Sequence, residues 1–235
     1  MNQLLLGPAD LLSPDRARVT GRPLAHLRSI RHLAVGDCFA VGIIDGNQGQ
    51  ATVVSLADDH AELALDCQQP PPAPLPLTLI LAMPRPKMLR RVIQTLVAMG
   101  VKELVLINST KVEKSYWQTP RLGADSLAEQ ITLGLEQAKD TVWPRIQLRQ
   151  RFKPFVEDEL GTLAADSLKL IAHPGTSTPC PRALAQPATL CIGPEGGFTD
   201  YEVALIEAQG FTPVHLGPRI LRVENAVPAL LARLF

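Results

Sequence analysis

Two glycine-marked segments near the C-terminus carry residue types from which a ligand site could be built. The first is Cys191–Phe198, with the sequence CIGPEGGF, and the second is Leu216–Ala226, with the sequence LGPRILRVENA. Each follows a short apolar run and precedes a helical pattern, which is typical of a turn between a strand and a helix. Because glycine has no Cβ and tolerates positive φ, such turns let the backbone approach a ligand closely.

Neither segment has the ending of a phosphate-binding loop. A P-loop closes on Gly-Lys-Ser/Thr, and a dinucleotide loop needs GxGxxG at the start of a helix, so both classes are disfavoured. A tight turn that packs a helix onto a sheet remains an alternative for the first segment. The second segment favours a ligand site, because it places polar groups in an otherwise apolar region, namely Arg219, Arg222, Glu224 and Asn225.

The rest of the chain predicts the elements that position these segments. Residues 1–66 favour mostly β structure, and a proline-rich stretch then favours a stiff, extended spacer. From residue 77 strands and helices alternate, which is typical of an α/β domain with a mostly parallel sheet. The pattern predicts strands at 35–44, 49–56, 61–65, 77–82, 103–107, 168–172 and 189–192, and helices at 88–97, 126–139, 199–209 and 227–235.

These patterns predict an N-terminal domain at 1–67, a linker at 68–76 and a second domain at 77–235. The chain has 235 residues, of which 46% are hydrophobic and 20% charged, as in a globular protein with a sizeable core. No apolar run approaches the roughly 20 residues of a membrane helix, and no secretory leader is evident. The sequence therefore predicts a cytoplasmic protein without a membrane partner.

The cysteines favour a structural role rather than a metal site. They lie far apart, without a CxxC pair or histidines at zinc spacing, so no bound metal is expected. Reduced cysteine in an apolar run behaves as a small hydrophobe. We therefore expect buried, unpaired thiols at Cys38, Cys67, Cys180 and Cys191.

Basic residues form two clusters, although the formal net charge of the chain is zero. A solvated surface is the ordinary meaning of such clusters, and a footprint for a phosphate backbone is the alternative. Neither cluster contains an acidic residue, which suits contact with nucleic acid. The residues are Arg16, Arg18, Arg22, Arg28 and Arg31 in the first cluster, and Arg85, Lys87, Arg90 and Arg91 in the second.

The combination of IGPEGGF, a glutamate at Glu202, Gly210-Phe211 and LGPRILRVENA resembles the RsmE family of the SPOUT superfamily. The resemblance implies methylation of N3 of one uridine in 16S ribosomal RNA, within the 30S subunit, with S-adenosyl-L-methionine as cofactor. It also implies a homodimer and a knotted, mostly parallel SPOUT-type sheet behind a small PUA-like β-barrel. In that barrel, His32, Gly36 and Asp37 match the family pattern.

Residue roles follow from the resemblance and from the chemistry of uracil. N3 carries a proton at neutral pH, so methylation needs a base within reach or a cation that stabilises the uracil anion. Arg222 could supply the cation, and Glu224 or Glu195 could accept the proton, although Glu224 would also suit the first turn of a helix. The resemblance implies cofactor contacts from Ala172, His173, Ile192, Gly193, Pro194, Glu195, Gly196, Gly197, Leu216, Gly217, Ile220, Leu221 and Arg222.

Three departures from the family pattern keep other functions open. Asn225 replaces a common threonine, and the family's helix lysine and a later arginine are missing within residues 94–100 and 136–140. These losses favour, as an alternative, an RNA-binding assembly factor that has lost catalysis. A second alternative is an α/β enzyme that binds a nucleotide instead of S-adenosylmethionine.

Overall fold

A computed structural model describes residues 2–31 and 34–235, without the side chains of residues 29–31. The chain forms two compact units. The first combines Met1–Ala73 with Thr132–Trp143, and the second combines Pro74–Ile131 with Pro144–Phe235. His32, which the family pattern includes in the N-terminal domain, lies outside the described residues.

The first unit is organised around a six-stranded sheet. Its strands are β1 (Leu4–Leu6), β2 (Leu11–Ser13), β3 (Arg16–Val19), β4 (Cys38–Ile43), β5 (Gln48–Leu56) and β6 (Ala61–Gln69), and helix α1 spans Gly21–Arg31. The strand order is β1-β4-β5-β6-β3-β2, in which β4, β5 and β6 form an antiparallel meander and β1 runs parallel to β4. The predicted strands at 49–56 and 61–65 are thus confirmed. Strands β1, β2 and β3 lie in the region predicted to be mostly β, although their individual bounds were not predicted, and helix α1 departs from that prediction.

Alternation along the strands places apolar side chains in the core of this unit. In β3, Ala17 and Val19 are buried while Arg16 and Arg18 are exposed, as the two-residue period of a strand requires. Glycine is required at Gly49, because a Cβ there would lie 1.9 Å from the carbonyl oxygen of Asp66. The close approach of β5 and β6 therefore explains why the sequence has glycine at position 49.

The second unit contains an all-parallel six-stranded sheet. Its strands are β7 (Leu77–Ala82), β8 (Glu103–Ile107), β9 (Arg145–Arg149), β10 (Leu168–Ala172), β11 (Ala188–Ile192) and β12 (Thr212–Val214). Their order is β12-β10-β11-β7-β8-β9. Strand β11 is buried along its whole length, as expected where helices cover both faces. The prediction of an α/β domain with a mostly parallel sheet is confirmed.

The helices of the chain after β7 largely follow the predicted periods. They are α2 (Pro86–Ala98), α3 (Ala124–Ala138), α6 (Asp200–Glu207) and α7 (Val223–Leu234), together with short helices α4 (Phe152–Pro154) and α5 (Gly161–Leu163), which flank a π-helical stretch at Phe155–Leu160. Leu89, Val92, Ile93, Leu96 and Val97 form the buried stripe of α2. Across residues 2–31 and 34–235, no helix combines the length and apolarity needed to cross a membrane.

Three adjacent strands bring the two glycine-marked segments together. Strands β12, β10 and β11 are neighbours in the sheet and end at Val214, Ala172 and Ile192. Because all three run parallel, their carboxyl ends share one edge, where α/β proteins bind ligands. The first segment follows β11 directly and the second follows β12, so both lie at this edge.

Candidate functional site

A cavity lies at the carboxyl edge of β10, β11 and β12 and is closed on one side by α7. Both glycine-marked segments contribute to its wall, and apolar side chains of α7 complete it. The lining residues are Ala172, His173, Pro174, Ile192, Gly193, Pro194, Glu195, Gly197, Phe198, Val214, His215, Leu216, Gly217, Arg219, Ile220, Leu221, Val223, Ala226 and Leu230.

The first segment folds back on itself so tightly that two of its glycines are needed. A Cβ at Gly193 would lie 2.9 Å from the backbone nitrogen of Phe198, and that backbone atom cannot swing aside as a side chain could. Gly197 adopts φ +70°, in the left-handed region. The Phe198 ring is buried and lies 6.1 Å from the ring of Phe152, at a tilt of 46°. This packing secures the end of the turn.

A buried carboxylate joins the first segment to the loop after β8. Glu202 is 1% exposed, and its Oε2 accepts hydrogen bonds from the N–H of Thr199 at 2.9 Å and from its hydroxyl at 3.0 Å. Its Oε1 accepts a bond from the N–H of Thr110 at 2.7 Å. Lys111 Nζ donates to the carbonyl oxygen of Gly196 at 2.7 Å. Thr199 and Glu202 form a capping box at the start of α6, which agrees with the predicted helix at 199–209, and Glu202 also fixes the neighbouring loop.

The second segment is exposed and leads into α7. Gly217 has φ +126°, which a residue with a side chain rarely adopts. Arg222 occupies the N-cap of α7, and its carbonyl oxygen accepts bonds from the N–H groups of Asn225 at 2.9 Å and Ala226 at 2.7 Å. Ile220 is 82% exposed.

The three proposed catalytic side chains occupy different environments around this cavity. Arg222 is exposed, and Glu224 is half-buried in the first turn of α7; neither side chain has a hydrogen-bond partner within the described residues. Glu195 lines the cavity, and its Oε1 accepts a bond from the backbone N–H of Arg85 at 3.2 Å. Arg219, which the sequence placed among the polar groups of the second segment without a catalytic role, brings a guanidinium to the cavity wall.

Similarity to known proteins decides the family. Residues 71–235 match the family model of an RNA methyltransferase domain. A ribosomal RNA small subunit methyltransferase E from Treponema pallidum (strain Nichols) is 31% identical over 218 residues, which cover 88% of this chain and 80% of that protein. The chain belongs to the ribosomal RNA small subunit methyltransferase E family.

Solved structures share the fold. A methyltransferase E from Neisseria gonorrhoeae, bound to S-adenosyl methionine, superposes with a TM-score of 0.72 at 20% identity, covering 98% of this chain and 96% of that one. A Legionella pneumophila protein in complex with the cofactor SAM has a TM-score of 0.76 at 20% identity, covering 99% of this chain and 96% of that one. At such identities the likeness concerns the fold.

The cavity includes all the residues that the methyltransferase E resemblance implied for the cofactor, except Gly196 and Arg222. Sequence reasoning did not anticipate His215 or the α7 face formed by Val223, Ala226 and Leu230. The α7 residues have helical spacing and could have been found from it. No sequence pattern points to His215, because it lines the cavity only through its position directly after β12.

Tertiary contacts engage most of the first basic cluster. Arg18 pairs with Glu62 at 2.6 Å, and both terminal nitrogens of Arg22 bond the buried carboxylate of Glu136, at 2.9 and 3.2 Å. Arg28 donates to the carbonyl oxygen of Ala57. The Arg16 side chain is exposed and forms no hydrogen bond or ion pair within residues 2–31 and 34–235. The side chain of Arg31 lies outside the described residues. Arg22 has therefore a structural role in this methyltransferase.

The second basic cluster is different, because its side chains are free. Arg85, Lys87, Arg90 and Arg91 are all exposed, at the start of α2 or just before it. Their charged groups form no ion pair with any described residue. Among the basic residues predicted to contact RNA, these are the ones most available to phosphates.

The thiols fit the prediction of structural cysteines except at one position. Cys180 and Cys191 are buried, and burial raises the pKa of both thiols, so they are poor nucleophiles. Cys67 is partly buried, whereas Cys38 is exposed, which makes the prediction of a buried thiol wrong there. Cys38 begins β4 with its side chain on the outer face. The described part of the chain contains no group of three potential metal ligands.

Proposed function

We propose that this protein transfers a methyl group from S-adenosyl-L-methionine to N3 of a specific uridine in 16S rRNA of the small ribosomal subunit. The observation that carries the proposal is the cavity at the carboxyl edge of the parallel sheet, lined by both glycine segments in a member of the methyltransferase E family. Because the proposed substrate is ribosomal RNA, the activity belongs in the cytoplasm.

The residues of the cavity suit an adenosine cofactor. The main-chain groups of residues 216–221 in the second segment are largely free of internal hydrogen bonds, so they can bond the polar edge of an adenine or a ribose. Ile192, Val214 and Leu230 offer apolar faces for a flat ring. When bound, the cofactor would supply an electrophilic methyl group on a sulfonium. The protein's share of the work is then to hold the uracil in line with that methyl group and to manage the N3 proton.

We assign that work to Arg222, Glu224 and Glu195. Arg222 is exposed at the N-cap of α7, where its guanidinium is free to stabilise negative charge on the uracil carbonyl oxygens. Glu195, on the cavity wall, or Glu224, in the first turn of α7, accepts the N3 proton as the bond from N3 to the methyl carbon forms. The bond between the sulfonium sulfur and the methyl carbon would break in the same step, which would leave a thioether, N3-methyluridine and a protonated carboxyl.

The same proposal includes the finer features of the fold. A PUA-like RNA-binding domain at 1–67 would lie within the first compact unit, and the linker at 68–76 would lead to a SPOUT domain at 77–235. A trefoil knot is supported by contacts between the chain end and the loop between β10 and β11. Leu184 N–H donates to the carbonyl oxygen of Leu234 at 2.6 Å, and Arg233 Nε donates to that of Cys180 at 2.7 Å.

A homodimer is part of the proposal as well. Ile220 and Leu221, at 82% and 41% exposed, place apolar surface next to the cavity, where a second copy could cover it and complete the site. We expect light scattering at micromolar concentration to give the mass of two chains. A monomer under those conditions would contradict this part of the proposal.

Methylation of isolated 30S subunits tests the function directly. Subunits lacking the modification are incubated with the protein and S-adenosylmethionine, and the digested 16S rRNA is analysed by mass spectrometry for 3-methyluridine. The expected result is one such nucleoside per subunit. Methylation at another atom would overturn the N3 assignment, whereas RNA binding without any methyl transfer would favour the catalytically inactive assembly factor.

We expect the second basic cluster to bind RNA phosphates. Reversing two charges with Lys87→Glu and Arg90→Glu should raise KM for 30S subunits and lower the slope of log Kd against log salt by about 1.5, because fewer counterions are released. The matched control reverses two other exposed residues of the same unit, Arg145→Glu and Arg151→Glu. If the two double variants changed KM and the salt slope equally, the loss would come from the net charge of the protein and not from this cluster.

A further inference from the structure

The part of the second glycine segment that precedes α7, residues 216–221, makes almost no hydrogen bonds of its own within the described residues. Between residues 216 and 221, the N–H of Gly217 is the one main-chain group that has a hydrogen-bond partner among the described residues. It donates to Nδ1 of His215 at 2.9 Å. The segment is partly or fully exposed throughout, so packing contributes little to its conformation. A single hydrogen bond, which a histidine accepts, thus anchors a loop that lines the cavity.

His215 is itself held firmly. Its N–H donates to the carbonyl oxygen of Thr178 at 2.9 Å, and its own carbonyl oxygen accepts a bond from the N–H of Cys180 at 2.8 Å. Its side chain is partly buried in the cavity wall. The imidazole therefore projects from a backbone that is fixed on both sides, whereas Gly217 lies two residues further along with φ +126°.

We propose that His215 is a positioning residue that holds the second glycine segment in its ligand-binding conformation through the lone pair of Nδ1. The inference rests on the proposed role of the cavity as the S-adenosylmethionine site. Ordering this loop before binding lowers the entropy cost of capturing the ligand. It also leaves the remaining N–H and C=O groups of residues 216–221 free for the ligand.

The hydrogen bond also determines where the ring carries its proton. Because Nδ1 accepts from Gly217, neutral His215 has its hydrogen on Nε2. Nε2 has no partner within residues 2–31 and 34–235, so its N–H is available to a ligand acceptor in the cavity. In an Asx-turn, the side chain of asparagine or aspartate likewise accepts a hydrogen bond from the N–H two residues further along. Asparagine at position 215 can therefore reproduce this bond.

Calorimetry with S-adenosylhomocysteine tests this role in the full-length protein. His215→Phe keeps a ring but removes the acceptor, so the Kd should rise about tenfold, equivalent to about 1.4 kcal/mol. His215→Asn restores an acceptor for the Gly217 N–H and should bind within about threefold of the parent protein. His60→Phe, at a histidine outside the cavity, controls for loss of an imidazole, and His215→Ala replaces the phenylalanine variant if that variant does not fold.

The outcomes separate this inference from the proposed function. A parent protein that does not bind S-adenosylhomocysteine would overturn both. If the parent binds and His215→Phe binds equally well, the positioning role is wrong while the cofactor assignment stands. If His215→Asn is as weak as His215→Phe, an acceptor for the Gly217 N–H is not enough to restore binding, and the imidazole acts through other contacts, which also overturns the proposal. Rescue by asparagine with loss in phenylalanine is the expected pattern.

Discussion

Replacing Gly193 with alanine should weaken binding of S-adenosylhomocysteine by roughly a hundredfold while leaving the chain folded. The new Cβ would lie 2.9 Å from the backbone nitrogen of Phe198, so the first glycine segment must open to accommodate it. Such overpacking costs about 1–3 kcal/mol, and each 1.4 kcal/mol is about a factor of ten in affinity. Calorimetry measures the affinity, and circular dichroism shows whether the fold is retained.

Gly196 provides a comparison three residues further along the same segment. A Cβ at Gly196 would also meet an atom at 2.9 Å, but this atom is Cδ of the Lys111 side chain, which can rotate away. Gly196 does not line the cavity. We therefore expect Gly196→Ala to weaken binding by a few-fold, since it perturbs the bond from Lys111 to the Gly196 carbonyl. Equal losses in both variants would show that the tight turn at Gly193 is not what forms the cofactor site.

Replacing Arg222 with alanine should lower kcat for 30S methylation by about a hundredfold, with the affinity for S-adenosylhomocysteine nearly unchanged. Removing one group that stabilises developing charge typically costs about a factor of 10² to 10³ in kcat. Arg222 does not line the cavity, and its side chain forms no hydrogen bond or ion pair with a described residue, so its loss should spare the cofactor. Single-turnover kinetics with saturating subunits measures the chemical step.

Arg222→Lys is the informative companion to this variant. Lysine keeps a cation at the N-cap of α7 but lacks the planar fork of the guanidinium, so its kcat should lie between those of the parent and the alanine variant. If Arg222→Ala instead raised KM for 30S subunits at full kcat, Arg222 would be a phosphate contact. The catalytic assignment would then have to pass to Arg219, which already lies on the cavity wall.

Local patterns were sufficient to predict much of the second unit. The predicted strands at 77–82, 103–107 and 168–172 coincide with β7, β8 and β10. Buried parallel strands appear as continuous apolar runs, so their bounds can be read from composition alone. The first unit was harder to predict, because β1 and β2 span only Leu4–Leu6 and Leu11–Ser13, too short for a clear period. The exposed edge strand β9 likewise had no prediction.

The site divides in the same way. The residue types of the two glycine segments, and the family to which they point, are properties of the local sequence. Local sequence also explains Thr199 and Glu202, whose spacing alone predicts a helix start. That Glu202 also bonds Thr110, 92 positions away, depends on the sheet order that sets β8 and β11 on either side of β7. No local period encodes such a distance.

The basic clusters show most clearly what the sequence by itself determined. It showed that arginines concentrate at residues 16–31 and that this stretch itself contains no acidic residue. Only the tertiary structure decided that Arg18 meets Glu62 and that Arg22 meets Glu136, while the α2 cluster stays free. His215 became a positioning candidate in the same manner, through the bond that its Nδ1 accepts from the N–H of Gly217. The physical reason is that charge pairing and cavity walls depend on distances in space, which chain folding sets independently of separation along the sequence.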